Sequence, residues 1–113
     1  MATDIRAEVK NVSTSAQKVR RVIDLVRGKP AVAAADLLRF TPGGASAPVA
    51  KVLNSAMANA EENFGVSRDN LYVYQIFANE APTRKWRRFG ARGRFKPLLR
   101  RSSHITVILR ERE

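Results

Sequence analysis

Two runs of strand-forming residues, Leu71-Tyr72-Val73-Tyr74-Gln75-Ile76-Phe77 and His104-Ile105-Thr106-Val107-Ile108-Leu109, enclose a stretch of different composition. β-Branched and aromatic side chains suit a pleated, half-buried surface, so both runs read as strands. With glycines near the middle of the connection, Gly90 and Gly93, the pair reads as a hairpin. Hairpins usually turn within about two to five residues. The connection from Asn79 to Ser103 is far longer. It is either a disordered basic loop or two extended arms that continue the strands. Arms of about ten residues, at about 3.3 Å each, would reach roughly 30 Å from the body. An isolated two-stranded ribbon is marginal in water. The arms are therefore expected to be loosely ordered alone and fixed on an anionic partner.

Charge sets this connection apart. The chain has 113 residues and a net charge of +11, from 21 cations and ten acids. Nine of the cations fall between Pro82 and Arg101: Arg84, Lys85, Arg87, Arg88, Arg92, Arg94, Lys96, Arg100 and Arg101. No acid lies among them, so this segment carries +9 and the rest of the chain only +2. A nearly neutral body bears one highly charged appendage. Such a chain will associate with polyanions.

Upstream, Ile5, Ala7 and Val9 alternate with Arg6, Glu8 and Lys10, the period of a half-buried strand. Ser13-Thr14-Ser15 offers helix N-caps. Ala16, Val19, Val22, Ile23 and Val26 follow at helical spacing, and Gly28 sits where a C-terminal cap needs positive φ. The spacing predicts a helix over about 15–27. A second helix starts near Pro30, shows a small-residue face of Ala31, Ala34, Ala35 and Leu38, and ends before Thr41-Pro42-Gly43-Gly44. A third runs over about 45–63, with Val49, Val52, Leu53, Ala56, Met57 and Ala60 as its buried stripe and Gly65 as its end. The order of strand, three helices and two strands gives an α+β fold: three helices packed on a small three-stranded antiparallel sheet, with a long basic β-hairpin extension. A single domain spans 1–113, with its body over about 1–80 and 103–113 and its hairpin over about 81–102.

Several function classes lose support. Without cysteine there is no disulfide scaffold, thiol nucleophile or thiolate metal site. The only histidine, His104, lies inside a terminal strand, and a lone strand histidine is more often structural than catalytic. Asp24, Asp36, Glu61 and Glu62 are interleaved with cations or polar residues, as on solvated helix faces. Gly43-Gly44 before a helix lacks the following Gly-Lys-Ser/Thr of a phosphate loop and reads as a turn. Gly90-Ala91-Arg92-Gly93 follows no buried strand and opens no helix, so it is no dinucleotide fingerprint. The expectation is no enzyme, no cofactor and no metal. No apolar run approaches the roughly 18–20 residues of a membrane helix. Nor does Met1 to Asn11 hold a signal-peptide core, so a soluble, intracellular protein is expected.

The basic segment points to nucleic acid. Arginine holds phosphate through a planar fork and stacks on bases. Trp86, Phe89 and Phe95 are interleaved with the arginines, which suits unpaired bases. The plainer alternative, Trp86 paired with Phe95 across the hairpin, leaves the lack of acids unexplained. An extended ribbon without a recognition helix favours irregular RNA over a DNA major groove. A membrane surface would need basic and apolar residues sorted on two faces of one helix. Pro82, Gly90, Gly93 and Pro97 prevent one here. Lys18, Arg20, Arg21, Arg27 and Lys29 form a second candidate surface, although they also fit a solvated helix face.

Three stretches resemble one family, that of the large-subunit ribosomal protein numbered twenty-two, in its bacterial type. They are Ser15-Ala16-Gln17-Lys18-Val19-Arg20 continuing to Asp24-Leu25-Val26-Arg27-Gly28; Val49-Ala50-Lys51-Val52-Leu53-Asn54-Ser55-Ala56 with Ala58-Asn59-Ala60; and Arg101-Ser102-Ser103-His104-Ile105-Thr106-Val107, with Gly93-Arg94 upstream. The resemblance implies a body on the outside of the large ribosomal subunit, beside the peptide exit. It implies a hairpin that threads through ribosomal RNA, lines the exit tunnel near the macrolide site, and joins the subunit early in assembly. The implied partners are large-subunit ribosomal RNA, neighbouring ribosomal proteins and the nascent polypeptide, with no membrane and no homo-oligomer. The implied location is a cytoplasmic ribosome, or an organellar one.

By this resemblance the RNA-binding hairpin residues are the nine cations and Trp86. The tunnel-facing tip is Arg88, Phe89, Gly90, Ala91, Arg92, Gly93 and Arg94. On the body, Ser15, Lys18, Arg20, Arg21, Arg27, Lys29, Lys51, Ser103 and His104 are the RNA-binding candidates. The chain departs from the family pattern at the tip, where Phe89-Gly90 replaces Pro-Arg. It also has Ala81 in place of Gly, Asn79 in place of Asp, an atypical Trp86, and no Ser-Pro start to its first helix.

Overall fold

The strand-forming run at the end of the chain becomes the centre of the sheet. In the computed structural model, which describes residues 4–82, 84–89 and 95–112, β1 (Ile5–Val12) leads into α1 (Ala16–Val26), α2 (Ala31–Phe40) and α3 (Ser46–Phe64). A single 3-10 turn (Arg68–Asn70) precedes β2 (Leu71–Glu80), β3 (Arg84–Phe89), β4 (Phe95–Arg100) and β5 (Ser103–Glu111). The three-stranded sheet has the order β1-β5-β2, antiparallel throughout, and β3 pairs only with β4. This is the expected α+β architecture.

Period-two alternation places Ser103, Ile105, Val107 and Leu109 of β5 under the helices, all fully buried. Each buried aliphatic there contributes on the order of 1.5–3 kcal/mol. The helices meet them with their predicted stripes. Ala16, Val19, Val22, Ile23 and Val26 are buried on α1, and Val49, Val52, Leu53, Ala56, Met57 and Ala60 on α3. On α2 the buried residues are the small Ala31 and Ala34 with Leu38, which allow α2 to lie close to α3. Gly28 (φ 78) closes α1 and Gly65 (φ 67) closes α3, both in conformations that side chains with a Cβ resist. The Gly28 N–H donates to the Val73 carbonyl and the Val73 N–H donates to the Lys29 carbonyl, so the α1–α2 connection is laced to β2.

Two local expectations need correction. Ser15 stands at the N-cap of α1, but its hydroxyl makes no capping hydrogen bond. β1 runs to Val12 instead of stopping near Lys10, because Asn11 takes a left-handed conformation (φ 58) that absorbs an irregularity in register and lets Val12 pair with Ser103. Asparagine tolerates that region better than most residues.

Beyond Glu80 and Ser103 the two chain segments continue as the paired arms β3 and β4, the extended alternative and not an unpaired loop. The Ala81 N–H donates to the Ser102 carbonyl at 3.0 Å and joins the two ladders. Register steps by one residue at this joint, from Glu80 opposite Ser103 to Arg84 opposite Arg100. The result is elongated, 64 Å by 25 Å by 18 Å, with a radius of gyration of 17.1 Å. A compact chain of this length has a radius near 13 Å, estimated from the usual size scaling.

Candidate nucleic-acid interface

The arms carry the densest positive charge in the chain, and their register sets like against like. Arg84 stands opposite Arg100 and Arg88 opposite Lys96. Like charges at facing positions destabilise an antiparallel pair. Trp86 is opposite Leu98 and Phe89 opposite Phe95, which corrects the Trp86–Phe95 alternative. Lys85 faces Leu99 and Arg87 faces Pro97. Of the tip positions, Gly90, Ala91, Arg92, Gly93 and Arg94 lie outside the described residues.

On the body, the candidate cations divide into two groups. Arg20 donates from Nε and Nη2 to the Ala78 carbonyl, at 3.2 and 3.0 Å. Arg27 donates from Nη2 to the Ile76 carbonyl at 3.0 Å, and from Nη1 to Asp24 at 2.8 Å. Both guanidiniums therefore brace α1 against β2. Lys18, Arg21, Lys29 and Lys51 are exposed, and among the described residues none of them forms an ion pair.

Ser15 and the exposed Arg101 come together with Lys18 and Arg21 around a cleft of about 750 Å³ at the base of the arms. Gly43 and Gly44, a turn by sequence, also line it. Nothing in the local sequence joins Gly43 to Lys18 or Arg101. Tertiary packing alone does so.

The remaining two candidates sit at the same end of β5. Ser103 is fully buried and its Oγ has no hydrogen-bond partner among the described residues. His104 is half-buried, and its Nδ1 accepts from the Asn11 N–H at 3.1 Å. Sequence reasoning missed the cation–π pairs on β2, where Arg110 lies 3.3 Å from the Tyr74 ring centre and Arg112 lies 5.7 Å from that of Tyr72. Asp4 hydrogen-bonds Arg110 and, with the electron-rich tyrosines, raises its pKa above the ordinary arginine value.

Comparison with known proteins gives this nearly neutral α+β body, with its protruding cationic ribbon, a family. Residues 7–110 match the model of the family described as ribosomal protein L22p/L17e. A relative from Pediococcus pentosaceus, named large ribosomal subunit protein uL22, is 46% identical over 111 residues, covering 98% of this chain and 94% of its own. The chain belongs to the L22p/L17e family of ribosomal proteins, structural components of the large subunit.

Proposed function

We propose that this protein binds large-subunit ribosomal RNA through its hairpin, enters the subunit early in assembly, and lines the nascent-peptide exit tunnel with the arm's tip near the macrolide site. The observation that carries the reading is the +9 segment on a +2 body. Repulsion along the arms costs stability in the free protein, and a phosphate backbone supplies the missing counter-charge. Arginines dominate the segment and aromatics alternate with them, which fits unpaired, irregular RNA better than duplex DNA. Neighbouring ribosomal proteins and the nascent polypeptide complete the partners of this reading, on a cytoplasmic ribosome.

The test is binding to large-subunit ribosomal RNA across a salt series, with duplex DNA at matched salt. Six phosphate contacts would give a log–log slope of about −4 to −5, at 0.7–0.9 per contact. Deleting Arg84–Arg94 should remove most of that slope while the body still unfolds cooperatively. A deletion variant that keeps the full slope refutes the hairpin as the main binding element. Equal affinity for duplex DNA favours a general architectural nucleic-acid binder. Co-sedimentation with large subunits, and cross-linking to their RNA through the hairpin, is the expected result in cell extracts.

A further inference from the structure

The two edges of the three-stranded sheet are finished differently. On β2 the chain closes its own edge: Gly28 and Lys29 bond the backbone of Val73, and Arg27 and Arg20 cap the Ile76 and Ala78 carbonyls. β1 is the opposite edge strand. Among the described residues, no backbone group outside the ladder with β5 bonds to its backbone. The one hydrogen bond that reaches its outer side there comes from the Asn59 side-chain amide of α3 to the Arg6 carbonyl, at a long 3.5 Å. That contact shows which groups are bare. Each residue of an antiparallel strand directs both backbone groups to one side, and the sides alternate along the strand. Arg6 therefore points outward, and so does Glu8. A bare edge of this kind is a template for a further strand.

Beside it runs a groove of about 480 Å³ between β1 and the flank of α3. Ala7 and Ala58 in its lining are small, so another backbone can come close. Its charged groups are Glu8, Glu62 and Arg6, two carboxylates against one cation, on a chain whose net charge is +11. Glu8 pairs weakly with Arg6 at 3.5 Å, whereas Glu62 has no ion pair among the described residues. Ile5, Ala7 and Val9 turn to the core. The Glu8 side chain thus lies on the sheet face away from the helices, and Glu62 lies on the helix side.

We propose that the β1 edge docks an extended, basic segment of another polypeptide, which adds to the sheet as a fourth strand. Main-chain hydrogen bonds to Arg6 and Glu8 hold it, and side chains select it. Successive side chains of the added strand point to opposite faces. Two consecutive cations in it therefore meet Glu8 on one face and Glu62 on the other. The same carboxylates repel an acidic segment and an RNA backbone. The inference gives the protein partners of the reading above a surface of their own, and in that respect rests on it.

The test uses the full chain and a synthetic peptide of about eight residues, with a central Lys-Arg pair flanked by valines and threonines. NMR should show the Arg6 and Glu8 amides shifting and their hydrogen exchange slowing as the peptide is added, with Ile105 and Val107 unchanged. Two further peptides carry methyl groups on alternate backbone nitrogens, one in each phase. One phase should abolish binding and the other preserve it, which is the signature of edge pairing. A peptide with Glu-Glu at its centre should not bind. Glu62→Lys, at an exposed position, should weaken the basic peptide about fivefold.

Unmoved Arg6 and Glu8 amides, equal binding of the Glu-Glu peptide, or indifference to both methylated phases overturns the proposal. Protection of these amides that grows with protein concentration alone assigns the edge to a second copy, and the proposal is wrong. Protection by ribosomal RNA but not by the peptide likewise overturns it. Failure of the RNA-binding reading looks different: the chain would show no preference for ribosomal RNA while the peptide still protected the β1 edge.

Discussion

The Arg20 guanidinium holds the Ala78 carbonyl with two of its nitrogens, binding α1 to the second half of β2. Lysine has no fork with which to reproduce that contact. Arg20→Lys should therefore cost about 1 kcal/mol, the scale of a partly exposed hydrogen bond from a charged donor. The melting temperature should fall by about 4–8 °C. The RNA salt slope should stay the same, because the charge is retained. An unaltered melting temperature would show that the contact contributes nothing.

Arg20 also marks the boundary of what sequence can tell. The stripes of α1 and α3, the alternation of β5 and the glycine stops were all legible, because periodicity and positive-φ demands are local. The split among the α1 cations was not. Lys18 and Arg20 differ by two positions in one basic helix, yet one lines the cleft and the other braces β2. Only the strand packed beside α1 decides which. The hairpin arms were legible as charge, but not their register. Phe89 opposite Phe95 follows from the one-residue step at the joint, which no residue type announces.

Gly65 gives a second prediction. It closes α3 at φ 67, ψ 22, and a Cβ added there would meet nothing within 4 Å. The cost of substitution is therefore backbone strain alone. Gly65→Ala should destabilise by about 1 kcal/mol, and Gly65→Asn by clearly less. Urea unfolding with an unchanged m-value checks the ranking. Equal losses for both would mean that crowding, and not φ, sets the cost.

Leu53 is fully buried at the centre of the α3 stripe. Leu53→Ala should cost about 2–5 kcal/mol, the range for such truncations in close-packed cores. Chemical denaturation of the isolated protein measures it. A loss under 1 kcal/mol would show that the core collapses around the gap.

Hydrogen exchange should divide the two ladders. β5 has a strand on each side and helices above, whereas β3 and β4 have only each other. In the free protein, amides of β3 and β4 should exchange faster than those of Ile105, Val107 and Leu109. Bound RNA should slow them selectively. Strong protection of the arms without RNA would show that they are ordered on their own.

His104 should show one tautomer. Its Nδ1 accepts from the Asn11 N–H, so the neutral ring carries its proton on Nε2. Nitrogen-15 NMR of the neutral ring should report that form. Asn11→Val should destabilise, because a β-branched residue at φ 58 is strained. An Nδ1-protonated ring would rule out the bond.

The joint at Ala81 and Ser102 makes the arm a ruler that can be recut without rebuilding its handle. β5 is held in register from both sides, by β1 and by β2, so its pairing does not depend on what happens past Ser103. Adding one residue pair to the arms, one on each side, would advance the tip by about 3.3 Å and swap the faces of everything beyond it. Two pairs would restore the faces and add about 7 Å of reach. Length and orientation of the probe are thus set in whole steps, while the body that carries it stays the same.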